Sequence, residues 1–390
     1  MKKRVAILLP VPTPYREPLL EQFAACGLYE TLVMYSRKTQ PSQGWRLGTP
    51  AYPAHYLKNY APRSWHGGLL IGAINPGVWR ELGAFQPDAV IVYGYTSATT
   101  LLAILWAVSH GVPLLVRGDS NLLDEEGKPR RLLAVKRLFL RWLTRHACGF
   151  LAVGTSNSRY WIQYGAKPEQ VFPAGYAVDN AYFRREADRY RSGPEQLRCK
   201  NGWTQRYLLL YVGRLSWEKG VDVLIEAMRR ISAMRSDIGL LIAGDGPERR
   251  TLEKRARALP QVHFLGFQDW TRLPGFYAAA DLFVLPSRRE PWGMVVNEAM
   301  ASGLPVMATG RVGAAQDLIS EGESGFVVPE DDAEALASAI DRACQSVERL
   351  RAMGARAQRL VESRSYDVTL SGFHKALSSC LCHDKHTNVQ

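Results

Sequence analysis

The stretch YLLLYVGRLSWEKGVDVLIEAM, residues 207–228, passes from an unbroken apolar run through a polar loop into a helical segment. An apolar run that halts at a glycine predicts a buried strand, and the loop GRLSWEKG hands the chain to the helix VDVLIEAM. Downstream the alternation continues through IGLLIAG, VHFLG, DLFVLP, PVMAT and GFVVP. Upstream it runs through RVAILLP, YETLVMYS, DAVIVYG, PLLVRGD and GFLAVGT. Short apolar strands separated by helical segments predict parallel sheets wrapped by helices. The expected fold class is therefore α/β, with two Rossmann-like, doubly wound domains facing each other across a cleft.

The chain has 390 residues, more than a single core usually supports. The polar stretch RREADRYRSGPEQLRCKNGWTQR, residues 184–206, breaks the alternation and places a boundary near or slightly before it. Expected limits are 1–180 for the first domain and 181–365 for the second. A final helix and tail, 366–390, are expected to pack back on the first domain. No short repeat and no low-complexity segment is visible.

Hydrophobic residues make up 46% and charged residues 22%, ordinary values for a globular α/β protein. The opening MKKRVAILLPVPTP imitates a signal peptide, but its apolar stretch is too short and ends at Pro10, so it reads as a first strand. Ala89 to Val116 contains no Asp, Glu, Lys or Arg, yet Gly94, TSATT and SHGVP divide it into strand, helix and strand instead of one membrane span. The six cysteines form no dense framework and point to a reducing, cytoplasmic setting. Cys380, Cys382, His383 and His386 match no zinc spacing, and no metal is expected there. A formal charge of +12 favours anionic partners such as nucleotide diphosphates, membrane surfaces or nucleic acid, without choosing among them.

Ligands of such sheets sit beyond the carboxyl ends of the strands. Three loops of the second half meet that rule: GRLSWEKG, GDGPE and SRREPWG. Arg214 and Lys219 in the first can straddle a diphosphate, a fork and a point charge; the plain alternative is a solvated surface pair. In REPWGMVVNEAM, Glu290 precedes a helix and Glu298 lies within it, eight positions on. The amides of Gly293, Met294 and Val295 open that helix toward a phosphate, and Glu298 can accept from ribose hydroxyls. The plain alternative makes Glu290 a helix-terminal charge and Glu298 a surface residue. No Asp-x-Asp pair occurs. Cations and a helix N-terminus can replace a metal in holding a leaving diphosphate, so a metal-free, cofactor-free mechanism is expected.

The runs VGRLSWEKGVDVLIEAM, LLIAGDGPERRTLE, VHFLGF, YAAADLFVLPSRREPWGMVVNEAMASGLPV and GESGFVVPEDDAEALASAI, in this order, resemble the donor-binding domain of glycosyltransferase family 4. That resemblance covers residues 207 to about 345 and implies the GT-B fold and transfer of a sugar from a nucleotide-sugar with retention of configuration. By similarity the Glu-x7-Glu motif is Glu290 and Glu298, the diphosphate pair is Arg214 and Lys219 after Gly213, and the base lies near Gly266 and Phe267. The first domain would then serve a glycan or lipid-linked acceptor in surface polysaccharide, lipopolysaccharide or glycolipid assembly. Members often carry a histidine at the end of a strand of that domain. Here LLVRGDSN places Arg117 and Asp119 there, making them sugar or acceptor candidates, and TPYREP adds Arg16.

Residues 130–145, RRLLAVKRLFLRWLTR, carry six cations and no acid. On a helical wheel Arg130, Arg137, Arg141 and Arg145 gather opposite Leu132, Val135, Phe139 and Leu143. The plain reading buries its apolar side and solvates its basic side; the other lays the helix on an anionic membrane surface, making the enzyme peripheral on the inner face. Two rivals stand beside a transferase. A nucleotide-sugar epimerase would isomerise donor without an acceptor, and a polyanion- or membrane-binding protein would leave the two glutamates unexplained. No nucleic-acid motif is present.

Overall fold

A computed structural model describes residues 2–38, 48–61, 73–192, 198 and 200–382. The chain divides into two compact units, one of residues 1–176 with 366–390 and one of residues 177–365. The polar stretch that interrupts the alternation thus falls inside the second unit, whose first helix includes its beginning.

In the first unit the elements run β1 (Lys3–Leu9), α1 (Glu17–Ala25), β2 (Tyr29–Tyr35), β3 (Ala54–Tyr56), α2 (Gly77–Phe85), β4 (Ala89–Tyr93), α3 (Ala98–Ser109), β5 (Leu114–Gly118), α4 (Arg130–His146), β6 (Gly149–Ala152), α5 (Thr155–Gln163) and β7 (Val171–Pro173). The strands pair in parallel in the order β3-β2-β1-β4-β5-β6-β7. The charge-free stretch from Ala89 to Val116 is β4, α3 and part of β5, and no described helix is long and apolar enough to cross a membrane. Val5 to Leu9 and Ala89 to Val92 are at most 1% exposed, which is why both runs are apolar without alternation.

The second unit continues with α6 (Asn180–Arg191), β8 (Tyr207–Val212), α7 (Val221–Ser232), β9 (Ile238–Ala243), α8 (Arg249–Arg255), β10 (Val262–Gly266), α9 (Leu273–Ala279), β11 (Leu282–Leu285), α10 (Met294–Ala301), β12 (Val306–Thr309), α11 (Gly313–Leu318), β13 (Gly325–Val328), α12 (Ala333–Ala343) and α13 (Val347–Val361). Its parallel sheet has the order β10-β9-β8-β11-β12-β13. Every residue of β8 and β9 is buried, and each large side chain so placed contributes about 1.5–3 kcal/mol.

The last helix, α14 (Tyr366–Cys382), belongs to the first unit. Gly372 lets it close on β7, for a Cβ there would stand 2.0 Å from the Pro173 carbonyl oxygen. Thr369 donates to the Gly175 carbonyl at 2.8 Å. Although the sequence shows no cysteine framework, Cys148 and Cys380, 232 positions apart, form a disulfide across this contact. Cys26, Cys344 and Cys382 are free thiols. Cys199, His383 and His386 lie outside the described residues.

Candidate active site

The second sheet reverses direction of growth between β8 and β11. Loops leaving the carboxyl ends of two such strands diverge and open a crevice between them. Arg214, Lys219, Glu290 and the start of α10 are carried by the loops after β8 and β11.

Backbone approach brings these loops together. Gly220 adopts φ +64°, and a Cβ on it would lie 2.1 Å from the Pro286 carbonyl oxygen, so only glycine allows the β8 loop to touch the end of β11. Arg288 then ties the loops by side chain. It donates to both Asp222 carboxylate oxygens at 2.8 and 2.9 Å, to the Trp217 carbonyl at 2.6 Å and to Asp331 at 2.5 Å. Burial opposes ionisation of Asp222, but the hydrogen bonds and charge of Arg288 outweigh it and hold that carboxyl below its usual range. The backbone amides of Arg288 and Arg289 donate to the Glu218 carbonyl. Sequence reading missed Arg288, because its partners lie far from it along the chain, Asp222 on the first turn of α7.

Within this frame the Lys219 ammonium donates to the Glu290 carboxylate. Their side chains are 19% and 14% exposed, so both charges are largely out of solvent yet still accessible. Behind them, burial first and then the charges of Glu290 and Glu218 push the Tyr211 phenol far up. It stays protonated and donates to the Arg214 carbonyl at 2.9 Å, holding the turn after Gly213. The Arg214 side chain projects outward and is exposed.

Gly293, at φ +93°, is the N-cap of α10 and supplies no capping side chain, leaving the first-turn amides of Met294 and Val295 available to an acceptor. Trp292 is locked by donating from Nε1 to Asn297 Oδ1 at 2.9 Å, which sets the direction of entry into the helix. Glu298, on the second turn, accepts from the Tyr277 hydroxyl at 2.8 Å. Burial pushes its carboxyl up to about 7, against the opposing effect of the tyrosine. Gly266, at φ +69°, accepts through its carbonyl from the Gly244 amide, and Phe267 beside it is 48% exposed.

In the first unit, Arg117 is 1% exposed and donates to the Ala174 and Gly175 carbonyls at 2.7 and 3.4 Å. Its guanidinium lies against Tyr93, Tyr176 and Phe373, a setting that holds backbone while Nε keeps no hydrogen-bond partner among the described residues. Asp119 is half-buried and accepts from the Tyr176 hydroxyl at 3.3 Å. Arg16 is half-buried at the start of α1. On α4 the buried residues are Leu140, Leu143 and Thr144, whereas Leu132, Val135 and Leu138 are 53%, 65% and 70% exposed. The helix is therefore rotated from the wheel's simple division: Leu132 and Val135 share the solvent side with the arginines.

Residues 195–360 match the family model described as glycosyl transferases group 1, and residues 12–176 match that of a glycosyl transferase 4-like domain. The chain is 30% identical over 299 residues to the sulfoquinovosyl transferase of Arabidopsis thaliana, covering 74% of this chain and 54% of that protein. It is 30% identical over 270 residues to the alpha-D-kanosaminyltransferase of Streptomyces kanamyceticus, covering 67% and 69% respectively. It thus spans about half the length of the first relative and about two thirds of the second. The crystal structure of Anabaena HepE in complex with UDP and glucose superposes with a TM-score of 0.74 at 21% identity, covering 97% of this chain and 100% of that one.

Proposed function

The chain belongs to glycosyltransferase family 4 and has the GT-B fold, and from that premise we propose that it moves a sugar from a nucleotide diphosphate to an acceptor hydroxyl with retention and without a metal. One observation carries the reading: Lys219 and Glu290 meet at the sheet reversal of the second unit, beside the uncapped start of α10. Arg214, Lys219 and the amides of Gly293, Met294 and Val295 would hold the diphosphate and stabilise it as it leaves. Glu298 would take the ribose hydroxyls, Phe267 and Gly266 would border the base, and Glu290 would face the transferred sugar. Lys219 would divide its donors between Glu290 and the phosphates, coupling departure of the diphosphate to the charge beside the sugar.

The acceptor belongs, on this reading, to a glycan or a lipid-linked glycan of surface polysaccharide or glycolipid assembly. Exposed Leu132, Val135 and Leu138 among the cations of α4 favour a peripheral position on an anionic membrane, since apolar side chains insert while arginines meet phosphate.

Thermal unfolding of the purified chain against UDP, GDP and ADP, with and without EDTA, tests the donor site. A nucleotide at one hundred times its dissociation constant stabilises by about 2.7 kcal/mol. The expected shift survives EDTA and disappears in Arg214→Ala and Lys219→Ala; a shift that EDTA abolishes would overturn metal independence. The anomeric configuration of the product, read by NMR, decides retention.

A further inference from the structure

The sheet of the first unit has its own reversal point, between β1 and β4. Register places Leu8 beside Val92, and Tyr93 beside Arg117, so the loop after β1 and the ends of β4 and β5 share one carboxyl edge. Thr13 and Arg16 stand in that loop, where the Thr13 carbonyl accepts from the Arg16 and Glu17 amides.

Four buried polar atoms here have no hydrogen-bond partner among the described residues: Thr13 Oγ1, Arg16 Nε, the Tyr93 hydroxyl and, deeper, Arg117 Nε. Thr13 is 2% and Tyr93 7% exposed. A buried hydroxyl without a partner is costly, so such groups rarely persist unless water or a ligand uses them. Arg16 lies 5.6 Å from the Tyr15 ring centroid and 5.3 Å from that of Tyr93. No carboxylate forms an ion pair with it among the described residues. Asp119 and the deeper Arg117 leave this edge with an excess of one positive charge once Arg16 is counted. A guanidinium walled by aromatic rings, hydrogen-bonded to the Tyr176 hydroxyl, ion-paired to no described carboxylate and sharing an edge with two unpartnered hydroxyls, is matched to an oxyanion.

We propose that this edge binds an anionic group of the acceptor, a phosphoryl or carboxylate oxyanion held by Arg16 with the hydroxyls of Thr13 and Tyr93. The proposal rests on the transferase reading for the word acceptor; the anion site stands on its own geometry. The second unit carries its own cations for the proposed donor diphosphate, so an Arg16-dependent anion that UDP does not displace is a separate one.

Calorimetric titration of the full chain with inorganic phosphate and with glucuronate, using glucose as the neutral control, tests it. At least one anion should bind, in the presence or absence of UDP, and lose tenfold or more in affinity in Arg16→Gln, with Arg16→Lys between the two. Which anion binds assigns phosphoryl or carboxylate chemistry. Thr13→Val and Tyr93→Phe should bind the anion more weakly while melting at the same or a higher temperature, because each removes an unsatisfied buried hydroxyl. That pair keeps the question open to test if Arg16→Gln does not fold. Absence of anion binding, unchanged affinity in these variants, or displacement of the Arg16-dependent anion by UDP would overturn the proposal. Failure of nucleotides to bind the wild-type chain would instead count against the donor site, which the anion titration does not probe.

Discussion

Lys219 and Glu290, 71 positions apart, form a mostly shielded ion pair across the two loops that flank the reversal of the second sheet. Removing one partner leaves the other charge half-desolvated and unmatched, so the loss exceeds the net worth of the pair. Lys219→Ala should therefore lower stability, and Glu290→Gln added to it should recover part of the loss, with a coupling energy of about 1–2 kcal/mol in a double-mutant cycle. Turnover should not recover with stability. Additive effects on the melting temperature would show that the pair is not coupled.

Arg288 shapes the site without needing to touch a ligand, by joining Trp217, Asp222 and Asp331. Arg288→Ala should weaken nucleotide binding by about tenfold, roughly 1.4 kcal/mol. Arg288→Lys should fail to restore it, because an ammonium cannot span both Asp222 oxygens and the carbonyl. Full rescue by lysine would reduce the role of Arg288 to charge alone.

Glu298 gives the site a pH dependence. Its folded value, pushed up to about 7, exceeds the ordinary 4.5, so its contribution to stability is present below about 4.5 and is lost as pH rises through about 7. Glu298→Gln should consequently gain in melting temperature relative to wild type at pH 8 and not at pH 4.5. Nucleotide affinity should move the opposite way in the wild type, strengthening above pH 7 as the carboxylate forms. A variant whose melting temperature tracks wild type at every pH would remove Glu298 from the titration.

Two glycines make a contrast. A Cβ on Gly313 would stand 1.9 Å from the Pro291 carbonyl oxygen, next to the turn that starts α10. Gly83, inside α2, has nothing within 4 Å of that position. Gly313→Ala should lower both stability and donor binding. Gly83→Ala should raise stability by up to about 1 kcal/mol through helix propensity and leave binding alone, as unfolding and titration would show.

Membrane contact through α4 is open to vesicle sedimentation. Each cation near an anionic surface contributes about 1 kcal/mol, weakened by salt. Binding to vesicles containing phosphatidylserine should fall severalfold in Val135→Glu with Leu138→Glu, and again at high salt. Equal binding to neutral vesicles would argue against the electrostatic part.

By itself the sequence determined the two parallel sheets and the loops that matter. A strand buried on both faces declares itself in its own composition, and α10 spans Met294 to Ala301 where REPWGMVVNEAMASG places a helix between two glycines. It also placed Arg214, Lys219 and Glu290 in loops at strand ends and Glu298 on the helix that follows, a matter of local order along the chain. Only the tertiary structure decided who meets whom: Lys219 with Glu290, Arg288 with Asp222, Tyr277 with Glu298 and Cys148 with Cys380. These pairings follow from strand order and from the return of α14, which no local pattern encodes. It likewise decided that Arg117 serves backbone carbonyls and that Leu132, Val135 and Leu138 face solvent. A helical wheel gives only the angles between side chains, and the sector that docks is chosen by the sheet and the neighbouring helices beneath it.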